Sequence, residues 1–291
     1  MSIDLHLHTN HSDGSSSVSE LLIEAQSKCL EIIAITDHNT VSAYKELEDE
    51  NIRKLYDGEI ITGVELSTSY NRESIEILGY RIDINIMDKL INENYLSSEQ
   101  KRIATFETTK QKYSTLGVKM DIDNMNQIFD PTGKSGFVVW NEIRKYSENS
   151  KFFIEKTSNE SFISFTRNEF LNPKSKLYID QTTFYPTIEK TIDMIHEAGG
   201  LAFLAHPYIY SKTIEEELQN IVESYEIDGL ECCYTTFKKE QTKCLLGMCD
   251  KYKLYRSGGS DYHGENYKVN FNMAIGDGSM DINKKLVEDW I

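Results

Sequence analysis

Short apolar runs and longer amphipathic segments alternate along most of the chain. Strands are predicted at residues 3–8, 32–36, 60–64, 74–80, 201–206, 228–231 and 254–257. Between them, apolar residues at helical spacing predict helices, for example at 41–55, 213–225 and 238–252. Alternating strands and helices are typical of an α/β barrel with a parallel sheet.

The alternation breaks off between about residues 90 and 180 and then resumes. The stretch 88–116 is polar and helical in pattern, and the stretch 120–180 is rich in Asn, Ser, Lys and aromatic residues. The simplest account is a single barrel that one insertion interrupts. The sequence therefore predicts a barrel built from 1–89 and 181–291, with a mostly helical module inserted at 90–180.

Five segments that begin as apolar strands end on side chains that commonly bind metal ions. Alternate residues of a strand point to the same face, so His6 and His8 can hold one ion together. In parallel α/β folds the functional groups collect at the carboxyl ends of the strands. We therefore expect one site for several ions, formed by His6 and His8 with Asp13, by His38, by Glu65, by His206, and by Asp261 with His263.

Composition and charge limit the classes of partner. With 291 residues, 39% of them hydrophobic, the chain can bury a large core, and it has no apolar run long enough to cross a membrane. Its formal net charge of −16 would repel long duplex nucleic acid, whereas metal ions in a cleft could attract a small anionic substrate. Five cysteines without framework spacing, and a first strand with no leader before it, predict a cytoplasmic protein.

Taken in order, these segments resemble the motifs of the PHP (polymerase and histidinol phosphatase) superfamily. The matching segments are 6–8 with 12–14, then 36–38, 63–65, 205–207 and 259–263. The resemblance implies a distorted (β/α)7, TIM-like barrel whose trinuclear site hydrolyses phosphoesters. The insertion resembles the branch that includes nucleoside 3′,5′-bisphosphate phosphatases and short-RNA 5′-exonucleases.

The resemblance also implies which side chains would hold two to three divalent ions of manganese, iron or zinc. Glu65 would bridge a first ion to a second, which His206 also binds. The chain departs from the family two residues before Leu-Gly, where Glu76 replaces the usual histidine. The first ion would be held by His6, His8, Glu65 and Asp261, and the third by Asp13, His38 and His263.

The predicted function is hydrolysis of a small phosphate, most simply a nucleotide, by a hydroxide that the metal ions generate. Asp37, next to His38, is a candidate proton carrier or a partner that holds a histidine. Arg102 and Lys134 are candidates to bind the substrate phosphate, because the family's insertion has basic residues at such positions. The alternatives are a phosphodiesterase or 5′-exonuclease on short oligonucleotides, and a scaffold module without catalysis.

Four further residues are polar positions outside the predicted ligand set. His11 lies between two ligand segments, and we interpret it as a loop residue or a partner of a ligand. His196 lies on a predicted helix and is interpreted as structural. Asp4 shares a strand face with the first two histidines, either as a partner of a ligand or as an ordinary polar strand start. Glu231 ends the strand 228–231 and could reach the site.

Overall fold

The computed structural model describes residues 2–131, 135–264, 271–278, 280 and 282–291. The chain divides into two compact units, the barrel unit (residues 1–94 with 186–291) and the inserted unit (residues 95–185). Within the described residues, the barrel unit contains seven strands: β1 (Ile3–Leu7), β2 (Ile32–Ile35), β3 (Glu59–Tyr70), β4 (Glu73–Tyr80), β5 (Leu201–Leu204), β6 (Gly229–Tyr234) and β7 (Tyr255–Gly259).

The helices follow the same division. The barrel unit begins with α1 (Val18–Ser27), α2 (Ala43–Glu46), α3 (Glu50–Arg53) and α4 (Ile84–Asn94). The inserted unit has α5 (Ser98–Leu116), α6 (Ile122–Ile128), α7 (Ser135–Ile143) and α8 (Phe162–Phe165), together with short 3-10 turns. The barrel unit then continues with α9 (Ile188–Glu197), α10 (Lys212–Ser224) and α11 (Lys239–Tyr252).

The seven strands form one sheet in the order of the sequence. Strands β1 to β3 are parallel, β4 is antiparallel to both its neighbours, and β5 to β7 are parallel again. The two edges of the sheet meet at the end of β1 and just beyond β7, where Leu7 pairs with Tyr262 and the N–H of His8 donates to the Tyr262 carbonyl at 2.9 Å. The sheet is therefore a nearly closed seven-stranded barrel, which confirms the predicted distorted TIM-like fold.

The third strand is longer than predicted. It continues from the expected end near residue 64 to Tyr70 and then turns back into β4. Asn71 and Arg72 form the turn with φ of 48° and 67°, the left-handed backbone that two-residue hairpin turns use to match the strand twist. As a result Glu65 lies within a strand rather than at its end, on the same hairpin as Glu76.

Two predicted helices are interrupted. The stretch 41–55 forms α2 and α3, because Asp49 between them has extended backbone and its side chain accepts the N–H of Asn51 at the start of α3. The stretch 88–116 is divided between α4 and α5, where Ser97 and Gln100 form a capping box that begins α5. Side-chain caps therefore set element boundaries that apolar spacing alone does not reveal.

Each unit has a hydrophobic core of its own. In the barrel unit the rings of Tyr80, Phe203 and Trp290 pack with centroids 5.1–5.2 Å apart, among aliphatic residues of the strands. In the inserted unit the core is rich in aromatic residues, among them Phe106 and Phe165. None of the described helices is both long and apolar enough to span a membrane.

Candidate metal centre

Strand β1 places His6 and His8 together inside the barrel, where both are fully buried. The Nε2 atom of His6 lies 3.2 Å from Glu65 Oε2 and 3.6 Å from Asp261 Oδ1. The Nε2 atom of His8 lies 3.3 Å and 3.2 Å from the same two oxygens. The close approach of β7 requires Gly259, because a Cβ atom there would lie 2.2 Å from the Cβ of His6. These four ligand candidates form one compact cluster.

A second cluster joins Asp13, His38 and His263 to His8. The Nε2 atoms of His263 and His38 lie 3.1 Å and 3.7 Å from Asp13 Oδ1. The Nδ1 atom of His263 lies 2.8 Å from the carbonyl oxygen of Asp261, which can only accept, so Nε2 is the nitrogen left to face the cluster. This side of the centre is more open, since the Asp13 side chain is 43% exposed.

A third cluster contains Glu65, Glu76 and the histidines beside them. The Nε2 atom of His206 lies 2.9 Å from Glu65 Oε1 and 3.3 Å from Glu76 Oε2. The Nδ1 atom of His38 lies 3.0 Å from Glu65 Oε2 and 3.5 Å from Glu76 Oε1. Glu65 thus lies where the three clusters meet, and the structure brings the nine predicted ligand residues together around it.

The donor atoms of the centre fit divalent ions. Buried polar atoms are almost always hydrogen-bonded in proteins. Within the described part of the chain, however, several buried atoms of the centre have no hydrogen-bond partner: His6 Nε2, His8 Nδ1 and Nε2, His38 Nδ1, Glu65 Oε2 and His206 Nδ1. Imidazole nitrogens and carboxylate oxygens of this kind are ligands of divalent transition metals. The centre therefore has the ligand chemistry of a divalent-metal site.

Burial and the facing charges shift the pKa values of these groups in both directions. Burial lowers the pKa of His6 and His8, but the facing carboxylates outweigh it, holding the pKa of His6 well above its usual value and raising that of His8 to about 9. Burial prevails at His38, whose pKa falls to about 4. Burial and the neighbouring Glu65 raise the pKa of Glu76 to about 7. In the metal-free protein, protons on His6, His8 and Glu76 therefore offset part of the carboxylate charge that bound ions would otherwise balance.

Two buried residues of β6 hold ligand candidates in place. Glu231 accepts a hydrogen bond from Nδ1 of His6 at 2.9 Å, so the interpretation that it reaches the centre agrees with the structure. Tyr234 donates its hydroxyl proton to Asp261 Oδ2 at 2.8 Å. Tyr234 is not among the predicted site residues, because it lies three residues beyond the predicted end of this strand at residue 231.

Two aspartates organise the loops that carry the ligand candidates. Asp4 is fully buried and accepts hydrogen bonds from the backbone N–H and the hydroxyl of Ser260, at 2.9 Å and 2.6 Å, and burial raises its pKa to about 6. Asp37 accepts from the N–H and hydroxyl of Thr9, at 2.7 Å and 2.6 Å, and from the hydroxyl of Ser12 at 2.5 Å. Its oxygens are engaged with the loop that leads to Asp13, which favours a holding role over proton transfer.

The remaining candidates are not among the three clusters of the barrel unit that the structure describes. Arg102 is in α5 of the inserted unit, where its Nη1 atom donates to the Pro131 carbonyl at 3.2 Å. Lys134 lies outside the described residues. His11 and His196 each contact a carboxylate outside the three clusters, at 2.6 Å and 2.8 Å, consistent with the loop and structural interpretations.

Two ligand candidates have backbone in the left-handed region. The φ of His206 is 24° and that of Asp261 is 56°. A positive φ is uncommon for residues other than glycine, although Asp and His adopt it more often than most. Such conformations persist only where the surroundings hold them, and they cluster at functional sites.

Comparison with known proteins agrees with the geometry. A family model described as the PHP domain matches residues 4–284. A 5′-3′ exoribonuclease of Haemophilus influenzae is 27% identical over 264 residues, which cover 89% of each chain. A 3′,5′-nucleoside bisphosphate phosphatase of Chromobacterium violaceum is 24% identical over 266 residues, which cover 90% of this chain and 87% of that one.

A solved structure from Chromobacterium violaceum, described as an amidohydrolase with bound sulfate, has the same fold. It superposes with a TM-score of 0.59 and 22% sequence identity, over 91% of this chain and 89% of that chain. The family match spans nearly the whole sequence, and the relatives are named for phosphoester hydrolysis, as the sequence predicts. The chain therefore belongs to the PHP domain family and is a metal-dependent phosphoesterase.

Proposed function

We propose that the protein is a phosphatase that acts on a nucleotide or another small phosphorylated metabolite and uses two to three divalent ions. The observation that carries this proposal is the position of Glu65. Its two carboxylate oxygens lie within 3.3 Å of imidazole nitrogens of His6, His8, His38 and His206. A carboxylate at the meeting point of three clusters suits a centre in which neighbouring ions share a ligand.

The clusters support three ion positions. We assign the first position to the first cluster, that is, to the β1 histidines with Glu65 and Asp261. The second position is assigned to the third cluster, with His206, Glu65 and Glu76. The third position is assigned to the second cluster, with Asp13, His38 and His263. Bound there, divalent ions would lower the pKa of a water molecule and neutralise charge on a phosphate. Among manganese, iron and zinc, the extra carboxylate of Glu76 favours manganese at the second position, because oxygen is a harder ligand than imidazole.

Charge supports a small anionic substrate and a role for the inserted module in choosing it. Residues 95–185 have 13 Lys and Arg against 11 Asp and Glu, so this unit carries +2, whereas the rest of the chain carries −18. We assign contact with the substrate phosphate or sugar to this module, with Arg102 and Lys134 as the residues concerned. Long duplex nucleic acid is disfavoured by the strongly acidic remainder.

A second candidate is 5′-end hydrolysis of short oligonucleotides, that is, diester rather than monoester cleavage. It is favoured by the exoribonuclease relative, which is slightly more similar in sequence than the bisphosphate phosphatase. Both candidates use the same centre and differ in the leaving group.

A substrate panel on protein loaded separately with manganese, iron or zinc separates the candidates. The panel contains p-nitrophenyl phosphate, bis-p-nitrophenyl phosphate, nucleoside 3′,5′-bisphosphates, histidinol phosphate and short 5′-phosphorylated oligoribonucleotides. We expect metal-dependent release of phosphate, fastest from nucleoside bisphosphates. Faster shortening of oligonucleotides would favour the second candidate. No metal uptake, and no turnover of any compound with any of the three metals, would overturn the proposal.

A further inference from the structure

Glu231, near the end of β6, links two ligand candidates with one carboxylate. The residue is fully buried. Its Oε1 atom lies 2.9 Å from Nδ1 of His6, and its Oε2 atom accepts the backbone N–H of His206 at 2.7 Å. Both oxygens are therefore occupied, each by a different residue of the metal centre.

The bond to His6 selects the nitrogen that faces the ions. A carboxylate only accepts, so Nδ1 of His6 must carry a proton and donate it. The lone pair of a neutral ring is then on Nε2, which lies 3.2 Å from Glu65 Oε2 and has no hydrogen-bond partner in the described chain. A carboxylate that orients a histidine through its second nitrogen also raises the basicity of the ligand nitrogen.

The bond to His206 acts on the backbone. With a φ of 24°, His206 has a conformation that few residues other than glycine adopt. Its N–H is directed at Glu231, while its Nε2 atom lies 2.9 Å from Glu65 Oε1. The hydrogen bond thus holds the turn that places the His206 imidazole in the third cluster, whereas His6 belongs to the first cluster.

We propose that Glu231 is a positioning residue that orients His6 and His206 together, so that one carboxylate supports ligands of two neighbouring ions. The inference rests on the proposed ion positions but not on the identity of the substrate. It predicts that a change at one buried residue, which is itself no ligand, weakens two ion positions and spares the third.

The variant Glu231→Gln tests the two acceptors, because glutamine keeps the shape of the glutamate side chain but has one acceptor oxygen and one donor amide group. If the oxygen faces the N–H of His206, the amide donates to Nδ1 of His6 and forces the ring proton onto Nε2, which then cannot bind an ion. In the opposite orientation the amide faces the N–H of His206, and two donors meet in a buried site. Neither orientation keeps both hydrogen bonds.

The experiment is metal titration of wild type, Glu231→Gln and Glu231→Asp by calorimetry, with bound metal measured after dialysis. In Glu231→Gln we expect affinity to fall about 10–100-fold at the position of whichever histidine loses its hydrogen bond, the usual effect of losing a partner of a metal ligand. In Glu231→Asp, which withdraws both acceptors, affinity should fall at both positions. The third position should keep its affinity, and Asp13→Ala should show the reverse pattern. Glu226→Gln, at an exposed position just before β6, is the matched control and should bind as wild type.

Thermal unfolding of the metal-free proteins distinguishes positioning from a merely structural role. Wild-type affinity in Glu231→Gln, or a lower melting temperature with unchanged affinity in the folded protein, would overturn the inference. If Glu231→Gln does not fold, Glu231→Asp replaces it, since aspartate keeps both acceptors but withdraws them by one methylene. Unchanged affinity at all positions in that variant would overturn the inference equally. Metal binding by the wild type tests the proposed centre itself, so the two failures are separable.

Discussion

Glu76 faces His206 across the hairpin side of the metal centre, with its Oε2 atom 3.3 Å from the imidazole Nε2 atom. Its other oxygen lies 3.5 Å from Nδ1 of His38. The side chain is 22% exposed, so Glu76 lies at the rim of the buried cluster rather than in solvent. A carboxylate here adds negative charge where the family usually has a neutral histidine.

Changing Glu76 to His is expected to shift the metal preference of the second position from manganese toward zinc, by about tenfold in relative affinity. The reason is that imidazole is a softer ligand and removes one negative charge. Competitive titration with the two metals measures the shift. Glu59→His, at an exposed position at the start of β3, is the control. An unchanged preference and stoichiometry in Glu76→His would show that Glu76 is not a ligand.

Replacing Asp261 or His38 by Ala is expected to reduce phosphatase activity by at least about 100-fold, since even partners of metal ligands contribute about 10–100-fold. The two residues are assigned to different ions, so each variant should also lose a different part of the bound metal. Steady-state assays and elemental analysis check both effects. Asp193→Ala, at an exposed position of α9, and His11→Ala serve as controls. If both Asp261→Ala and His38→Ala kept wild-type rates, the assignment of ligands would be wrong.

Neutralising Arg102 is expected to affect nucleotides more than small phosphates. If the guanidinium contacts a nucleotide, Arg102→Gln should lower kcat/KM for a nucleoside bisphosphate roughly tenfold or more, since a hydrogen bond to a charged group contributes about 1.5–3 kcal/mol. Turnover of p-nitrophenyl phosphate should change little. Arg167→Gln, an exposed arginine of the same unit, is the control, and Lys134→Gln can be tested in the same way. Equal loss on both substrates would contradict a role in specificity.

Metal binding is expected to release protons and to strengthen from pH 6 toward pH 9. In the metal-free protein the pKa of His8 is raised to about 9, so at neutral pH an ion must displace a proton from this ring. Calorimetric titrations in two buffers of different ionisation enthalpy count the released protons. Identical heats in the two buffers would mean that no proton is released.

Stability of the metal-free protein should respond to pH in the opposite sense. A group whose pKa is higher in the folded state stabilises the fold below its unfolded pKa and loses that effect as pH rises through the folded value. For His8 this window runs from 6.5 to about 9, and for Glu76 it runs from 4.5 to about 7. The melting temperature should therefore fall between pH 6.5 and pH 9, and a rise over this range would contradict the assignment.

Replacing glycine by alanine should have opposite effects on the stability of the fold at two positions. The Cβ of an alanine at position 259 would lie 2.2 Å from the Cβ of His6 and 2.4 Å from its backbone nitrogen, so Gly259→Ala should destabilise the fold by about 2 kcal/mol or more. Gly247, inside α11, has no atom within 4 Å of an added Cβ, and Gly247→Ala should stabilise by up to about 1 kcal/mol. Chemical denaturation measures both. Similar values for the two variants would contradict the close approach of β7 to β1.

The histidine ligand candidates can be found from sequence because they lie in or shortly after short strand segments, and the barrel brings the ends of such segments together. The position of Glu65 within its strand is harder to predict from the sequence. It lies inside a twelve-residue strand, and the turn that makes this hairpin consists of Asn71 and Arg72, a pair without the usual glycine. The apolar pattern ends before the strand does.

The residues that hold the ligand candidates in place are even harder to predict from the sequence. Tyr234 reaches Asp261 because the pairing of β6 with β7 shifts between Glu231 and Cys233, a bulge that no alternation pattern predicts. Asp37 resembles a catalytic carboxylate from its place beside His38, but its hydrogen bonds to Thr9 and neighbouring groups depend on the path of a loop. Such roles are set by tertiary packing, which a single sequence does not encode in its local spacing.

The meeting of the two sheet edges at Leu7 and Tyr262 orders events during synthesis. His6 and His8 leave the ribosome more than 250 residues before Asp261 and His263, which face them in the clusters. Until then the first strand has an unpaired edge, and its histidines lack the partners that would hold an ion. A nascent chain therefore cannot assemble the full set of ligand candidates before the last strand has been made and the barrel has closed.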